Sequence, residues 1–298
     1  MVRQYKIHTN LDGTDDKVWD VTNGKVRFYQ PSNLGLQSTN NIWQSNGIGV
    51  MGTRSITQPQ IEFKLETFGE SLEENYRLMK DFINDILNKK FVTLEYQTEI
   101  FQVYADLALA EVTKTEGYGK NGTFSEKITF DIITKWYTYE NLTFDMIKNG
   151  KVIAGKSKIY GGTAPGNYKY VKGTSYTYYG ESNIDRLSRW DIKDEIFSFM
   201  GILYPQLPKT PTGVRFLDDI GNEYTAIVFK TEQVQDYILI NTDVNDETYQ
   251  GWRGTTALNL FPVMDFERYR TRIIEKGQME LINLSKAELK IKRKADFV

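Results

Sequence analysis

Apolar and polar residues alternate with a period of two along much of this chain. In QIEFKLETF, Ile61, Phe63 and Leu65 fall on one side and Glu62, Lys64 and Glu66 on the other. Successive side chains of a strand point to opposite faces, so the pattern predicts a half-buried antiparallel strand. EKITFDII repeats it with Ile128, Phe130 and Ile132. YTAIVFK (224–230), DYILI (236–240) and ELKIKRK (288–294) predict further strands. Turn residues such as Asp219, Ile220, Gly221 and Asn222 separate them.

One segment has a different period. SLEENYRLMKDFINDIL opens with Ser71 and has Glu74 three residues on, the signature of a capping box. Leu72, Tyr76, Met79, Ile83 and Ile86 follow at spacings of three or four. They predict a helix whose apolar stripe lies on a sheet. The stretch SRWDIKDEIFSFMG from Ser188 fits a helix or a strand equally well. YPQLPKTPTG (204–213) reads as an extended surface loop. A strand pattern ends near Thr134, and the aromatic cluster WYTYENLTF then marks a domain boundary. The fold class is mainly β with one helix packed on the first half.

Composition narrows the chemistry. The 298 residues carry a formal net charge of -2, balanced in both halves, without the strong positive field of a nucleic-acid binder. There is no cysteine, so disulfides and thiolate metal sites are excluded. No apolar run approaches the roughly 20 residues that span a bilayer. The opening MVRQYKIHTNLDG lacks the apolar stretch of a signal peptide, which points to synthesis in a cytosol.

Three candidate motifs fade on inspection. GIGVMG (47–52) matches the glycine spacing of a dinucleotide loop but neither follows a strand pattern nor opens a helix, so it reads as a glycine-rich turn. His8, the sole histidine, sits on the polar side of an alternating strand and reads as a surface residue. The acidic stretches DGTDDKVWD and DVNDETYQGW lack the glycine and glutamate of a calcium-binding hand and read as solvated turns. No catalytic residue, cofactor or metal is expected.

The anomaly is YGGTAPGNYKYVKGTSYTYYG, from Tyr160 to Gly180, with six tyrosines, five glycines and no acid. It could be a disordered insert, a sugar-binding loop whose rings stack on a pyranose, or a protein-docking arm. Its aromatic content favours docking, because tyrosine supplies contact area at low ordering cost.

The opening MVRQYKIHTNLDGTDDKVWDVTNG, the run IEFKLETFGESLEENYRLMKDFINDILNKKFVTLEY and the change at WYTYENLTF together resemble the distal tail proteins of lactococcal siphophages. The resemblance extends over the full length. It implies a ring-forming β-rich domain over about 1–132 and a galectin-like β-sandwich over about 133–298. It implies a homohexamer at the tail tip in the virion, joined to tail-tube and tail-tip proteins. It also implies an arm at about 145–188 that holds receptor-binding proteins. Tyr160, Tyr168, Tyr170, Tyr176, Tyr178 and Tyr179 are then the expected docking anchors. A carbohydrate-binding sandwich using aromatics such as Trp190 or Trp252 is the alternative.

Overall fold

A computed structural model describes residues 3–35, 37–57, 60–114, 123–145, 147–148, 151–152, 189–206, 211–230, 236–271 and 274–295. The chain divides into two compact units, Met1–Thr138 with Ala295–Val298, and Tyr139–Lys294.

The first unit contains β1 (Gln4–His8), β2 (Val18–Asp20), β3 (Val26–Ser32), β4 (Gln37–Ser45), β5 (Ile48–Thr57), β6 (Ile61–Thr67), α1 (Leu72–Leu87), β7 (Val92–Gln97), β8 (Gln102–Thr113) and β9 (Ser125–Ile132). Its main sheet is antiparallel in the order β2-β1-β7-β8-β9-β6-β3. The sheet curls until its ends approach each other, and Phe28 N donates to Val21 O at 2.7 Å. Curling brings the inward residues of every strand to one core. Ile61, Phe63 and Leu65 of β6 are buried there, with Ile7, Phe28, Leu94, Leu107 and Phe130. Phe63 stacks on Phe28 at 4.6 Å and meets Tyr5 edge-on at 5.5 Å. Burying one such ring is worth roughly 2–3 kcal/mol.

Helix α1 begins at the predicted cap, with the returning carboxylate bonded one residue before it. The Ser71 hydroxyl accepts from Glu74 N at 3.2 Å, and the Glu74 carboxylate turns back to accept from Glu70 N at 2.7 Å. Its buried face differs from the predicted stripe. Asn75, Phe82 and Ile86 are buried, Leu78, Met79 and Ile83 pack partly, and Leu72 and Tyr76 are exposed. The docked face is rotated because Phe82 is the side chain that meets Phe28 and Trp19 edge-on. Asn75 can be buried because its side chain bonds both Gly69 N and Gly69 O.

The second unit is a sandwich. β10 (Tyr137–Asp145) leads into it, followed by β11 (Ile147–Lys148), β12 (Lys151–Val152), β13 (Arg189–Ile192), β14 (Ile196–Pro205), β15 (Thr212–Leu217), β16 (Glu223–Phe229), β17 (Tyr237–Asn241), β18 (Thr248–Arg253), β19 (Thr256–Asn259), β20 (Gly277–Ile282) and β21 (Leu284–Lys294). One sheet runs β19-β18-β17-β14-β21-β10 and the other β13-β20-β15-β16. Between them lie Phe199, Leu203, Phe216, Phe229, Ile238, Met279 and Ile291. The described part of the ambiguous stretch, from Arg189, forms strands β13 and β14, not a helix. Each strand is hydrogen-bonded into a sheet, which is what the pattern alone left open.

Candidate functional site

Among the described residues of the first unit, β4 and β5 form a ribbon whose side chains are exposed along its length. Among the described residues these strands pair only with each other. They extend the hairpin that β3 and β6 begin, beyond the irregularity at Gln30 and Pro31 that shifts the β3–β6 register before its last pair, Ser32 with Glu62. The apex is Asn46-Gly47, with positive φ at both residues (49° and 78°). Two residues of this kind form the two-residue turn that matches the twist of a hairpin. The 47–52 glycine segment is a turn only at Gly47 and otherwise the start of the second strand of the ribbon; Gly52 lies 3.3 Å from the Trp43 indole nitrogen, measured from where a Cβ would be.

Pairing along the ribbon joins Ser45 to Ile48, Trp43 to Val50 and Ile42 to Met51. Trp43, Val50 and Ile48 share one face, and Ile42 and Met51 the other, because side chains alternate along each strand. Trp43 is 69% exposed and Ile48 70%, and Ile42, Val50 and Met51 are also exposed. Between Gln37 and Thr57 the only charged residue is Arg54. At roughly 3.3 Å per residue the ribbon reaches about 30 Å from the body. It is a long projection, apolar on both faces and nearly free of charge.

His8 is not the surface residue expected. It is only 7% exposed. The loop 9–17 folds over it, so that its Nδ1 lies 2.7 Å from Asp16 Oδ2 and its Nε2 2.9 Å from Glu95 Oε2 on β7. Lys6 Nζ donates to the other Glu95 oxygen at 2.9 Å. Burial pushes the Glu95 carboxyl up, but the hydrogen bonds from Lys6 and His8 outweigh it and hold the group below the usual carboxylate range. The DGTDDKVWD stretch is correspondingly more than a solvated turn. Lys89 pairs with Asp15 at 3.0 Å and Lys17 with Asp85 at 2.5 Å, which ties the stretch to the end of α1. A strand's polar face can be buried when a neighbouring loop brings partners to it, which alternation does not report.

In the second unit, the outer face of the larger sheet carries a groove of about 440 Å³. Met200, Ile202 and Leu239 line it, with Asn141, Glu288 and Lys290 also present. Beside it Tyr237 and Trp252 lie nearly parallel, with centroids 6.0 Å apart. Trp190 is not an exposed platform, since it packs against the sandwich core. The anchors Tyr160, Tyr168, Tyr170, Tyr176, Tyr178 and Tyr179 lie outside the described residues, as does most of the 145–188 segment. Among the described residues no three His, Asp or Glu side chains cluster as metal ligands, and no helix is long and apolar enough to cross a membrane.

Two family profiles tile this chain and place it among the structural proteins of phage tails. The profile of the distal tail protein N-terminal domain matches residues 4–133, and that of the Dit C-terminal domain residues 135–298. The chain belongs to the distal tail protein family. It is 95% identical to the distal tail protein of Lactococcus phage p2 and 92% identical to that of Lactococcus phage SK1, each over 298 residues and the whole of both chains. Among solved structures it is similar to a chain of the phage P2 baseplate in its activated conformation with Ca. There the identity is 95%, both chains are covered in full and the TM-score is 0.79. The Dit protein of phage SPP1 is 10% identical, with 99% of this chain and 100% of that one covered and a TM-score of 0.52. That likeness shows a shared fold.

Proposed function

We propose that this protein forms a homohexameric ring in the baseplate at the tail tip, joining the tail tube to the adsorption apparatus. In this reading an arm at about 145–188 holds receptor-binding proteins, and no cofactor or catalytic step is involved. The observation that carries the ring is the β4–β5 ribbon. A two-stranded ribbon with both faces in water is marginal on its own. Trp43, Val50 and Ile48 on one face and Ile42 and Met51 on the other gain most when a neighbouring copy covers them. A closed ring needs a head-to-tail contact between two different surfaces of each subunit, and a projecting ribbon supplies one of them. Membership of the family and the 95% identity to a chain of the P2 baseplate support the location. Mass photometry tests it. The expected particle is a hexamer of the 34.6 kDa chain. A strict monomer at high concentration, alone and with tail partners, defeats the proposal.

The arm rests on composition. From Lys151 to Gly180 there are five lysines, six tyrosines and no acid. Removing 145–188 is expected to leave the ring intact and to abolish capture of receptor-binding protein in a pull-down. Truncating a true tyrosine anchor is expected to weaken capture by about 2 kcal/mol or more.

The groove beside Tyr237 and Trp252 favours one second reading, in which the sandwich binds a saccharide. Calorimetry with cell-wall saccharides tests it. Binding that disappears in Trp252→Ala, with assembly unchanged, supports it.

A further inference from the structure

His8 lies on β1, outside the β4–β5 ribbon on which the ring reading rests. Four carboxylate oxygens surround the imidazole and its neighbours, and each faces one donor. Asp16 Oδ1 accepts from Asn10 N at 2.9 Å, and Asp16 Oδ2 faces His8 Nδ1 at 2.7 Å. Glu95 Oε1 accepts from Lys6 Nζ, and Glu95 Oε2 faces His8 Nε2 at 2.9 Å. A neutral imidazole has one N–H, so one of its nitrogens would turn a lone pair toward a carboxylate oxygen. With both nitrogens protonated, both carboxylates are satisfied. The lowered Glu95 carboxyl agrees, since it argues for an ionised group at that end.

We propose that His8, doubly protonated, is a proton-operated clasp that holds the 9–17 loop on the sheet, and that losing one ring proton releases the loop. Glu95 sits on a strand paired on both sides, by β1 and β8, and is 4% exposed. Asp16 sits in a loop, so the loop is the partner that yields. The charged groups around the clasp come from every element packed there. Lys6 shares β1 with His8, and Asp20 lies opposite Lys6 on β2. On β8, Tyr104 lies opposite Glu95, and the buried Asp106 lies opposite Thr93, the β7 partner of His8, where it accepts from the Thr93 and Tyr137 hydroxyls. Burial raises the Tyr104 hydroxyl, and the charges of Glu95 and Asp12 raise it further. Asp12, Asp15 and Lys17 belong to the loop, and Asp85 and Lys89 to the end of α1. The Lys89–Asp15 and Lys17–Asp85 pairs are more exposed and are screened by solvent, so they hold the loop weakly. The charge-assisted bonds at His8 are buried and stronger.

Because His8 is the sole histidine, selective 15N-histidine labelling of the full chain reports this ring alone. Amide hydrogen exchange over 9–17, expressed as protection relative to intrinsic rates, is followed across the same pH series. The expected result is loss of protection by about tenfold or more, the equivalent of one charge-assisted hydrogen bond, with the midpoint of ring deprotonation. His8→Gln is expected to remove that pH response. Should that variant fail to fold, Asp16→Asn removes only the loop's half of the clasp and is expected to flatten the response as well. The proposal is overturned if the ring shows no proton loss, or if it loses a proton while the loop keeps its protection. A wild-type response in either variant overturns it equally.

Discussion

β3/β6 and β4/β5 are two halves of one long hairpin, yet they have opposite fates. In the proximal half the apolar residues Phe28, Ile61, Phe63 and Leu65 all point inward and are buried. In the distal half Trp43, Val50 and Ile48 point one way, Ile42 and Met51 the other, and all five are exposed. The proximal half has one apolar face because its own chain covers one face. The distal half has two because its own unit covers neither. The difference separates residues that hold the fold from residues available to hold an assembly.

The largest expected effect comes from breaking the buried half. Phe63→Ala removes a ring in contact with both Phe28 and Tyr5, and is expected to cost about 3–5 kcal/mol in chemical denaturation. Trp43→Ala is the counterpart in the exposed half. It should leave the stability of the subunit within about 0.5 kcal/mol. Under the proposed ring it should weaken association by about 2 kcal/mol or more, read as hexamer loss on dilution. If Trp43→Ala instead destabilises the subunit as Phe63→Ala does, the contrast between the halves is wrong.

A smaller effect is expected at the apex. Gly47 has φ of 78°, a region that costs a side-chain-bearing residue about 1–2 kcal/mol. Gly47→Val should therefore loosen exchange in the ribbon while the melting of the body is unchanged. The smallest effect concerns pH. Glu95 is held low in the folded state, so its contribution is present at neutral pH and is lost as pH falls through the folded value. Glu95→Gln should flatten the acid limb of the stability curve in the body. The ribbon has no acidic residue, and its exchange should stay unresponsive over that range.

Much of this was legible beforehand, for local reasons. Alternation marked β6 and β9, and Ser71 with Glu74 marked the start of α1. The Asn46-Gly47 pair was the readable signal for the ribbon, and the glycine spacing of 47–52 drew attention away from it. Leu72 and Tyr76 misled because a helix has several acceptable apolar stripes and only docking selects one. His8 misled because alternation says which residues share a face, not what lies across from that face. Lys292 is a parallel case, buried within a lysine-rich strand and held by Asp243 at 2.8 Å from 49 residues away.

Sequence by itself determined the mainly β class, the single capped helix and the strands whose neighbours two residues apart agree in polarity. Those features depend on backbone periodicity and on partners within a few positions. Tertiary structure alone decided which helical stripe docks, which polar residues are buried, and that two consecutive hairpin halves differ in burial. Those outcomes depend on Asp16, Glu95 and Phe28 arriving from other strands and loops, and a linear pattern carries no distance between segments.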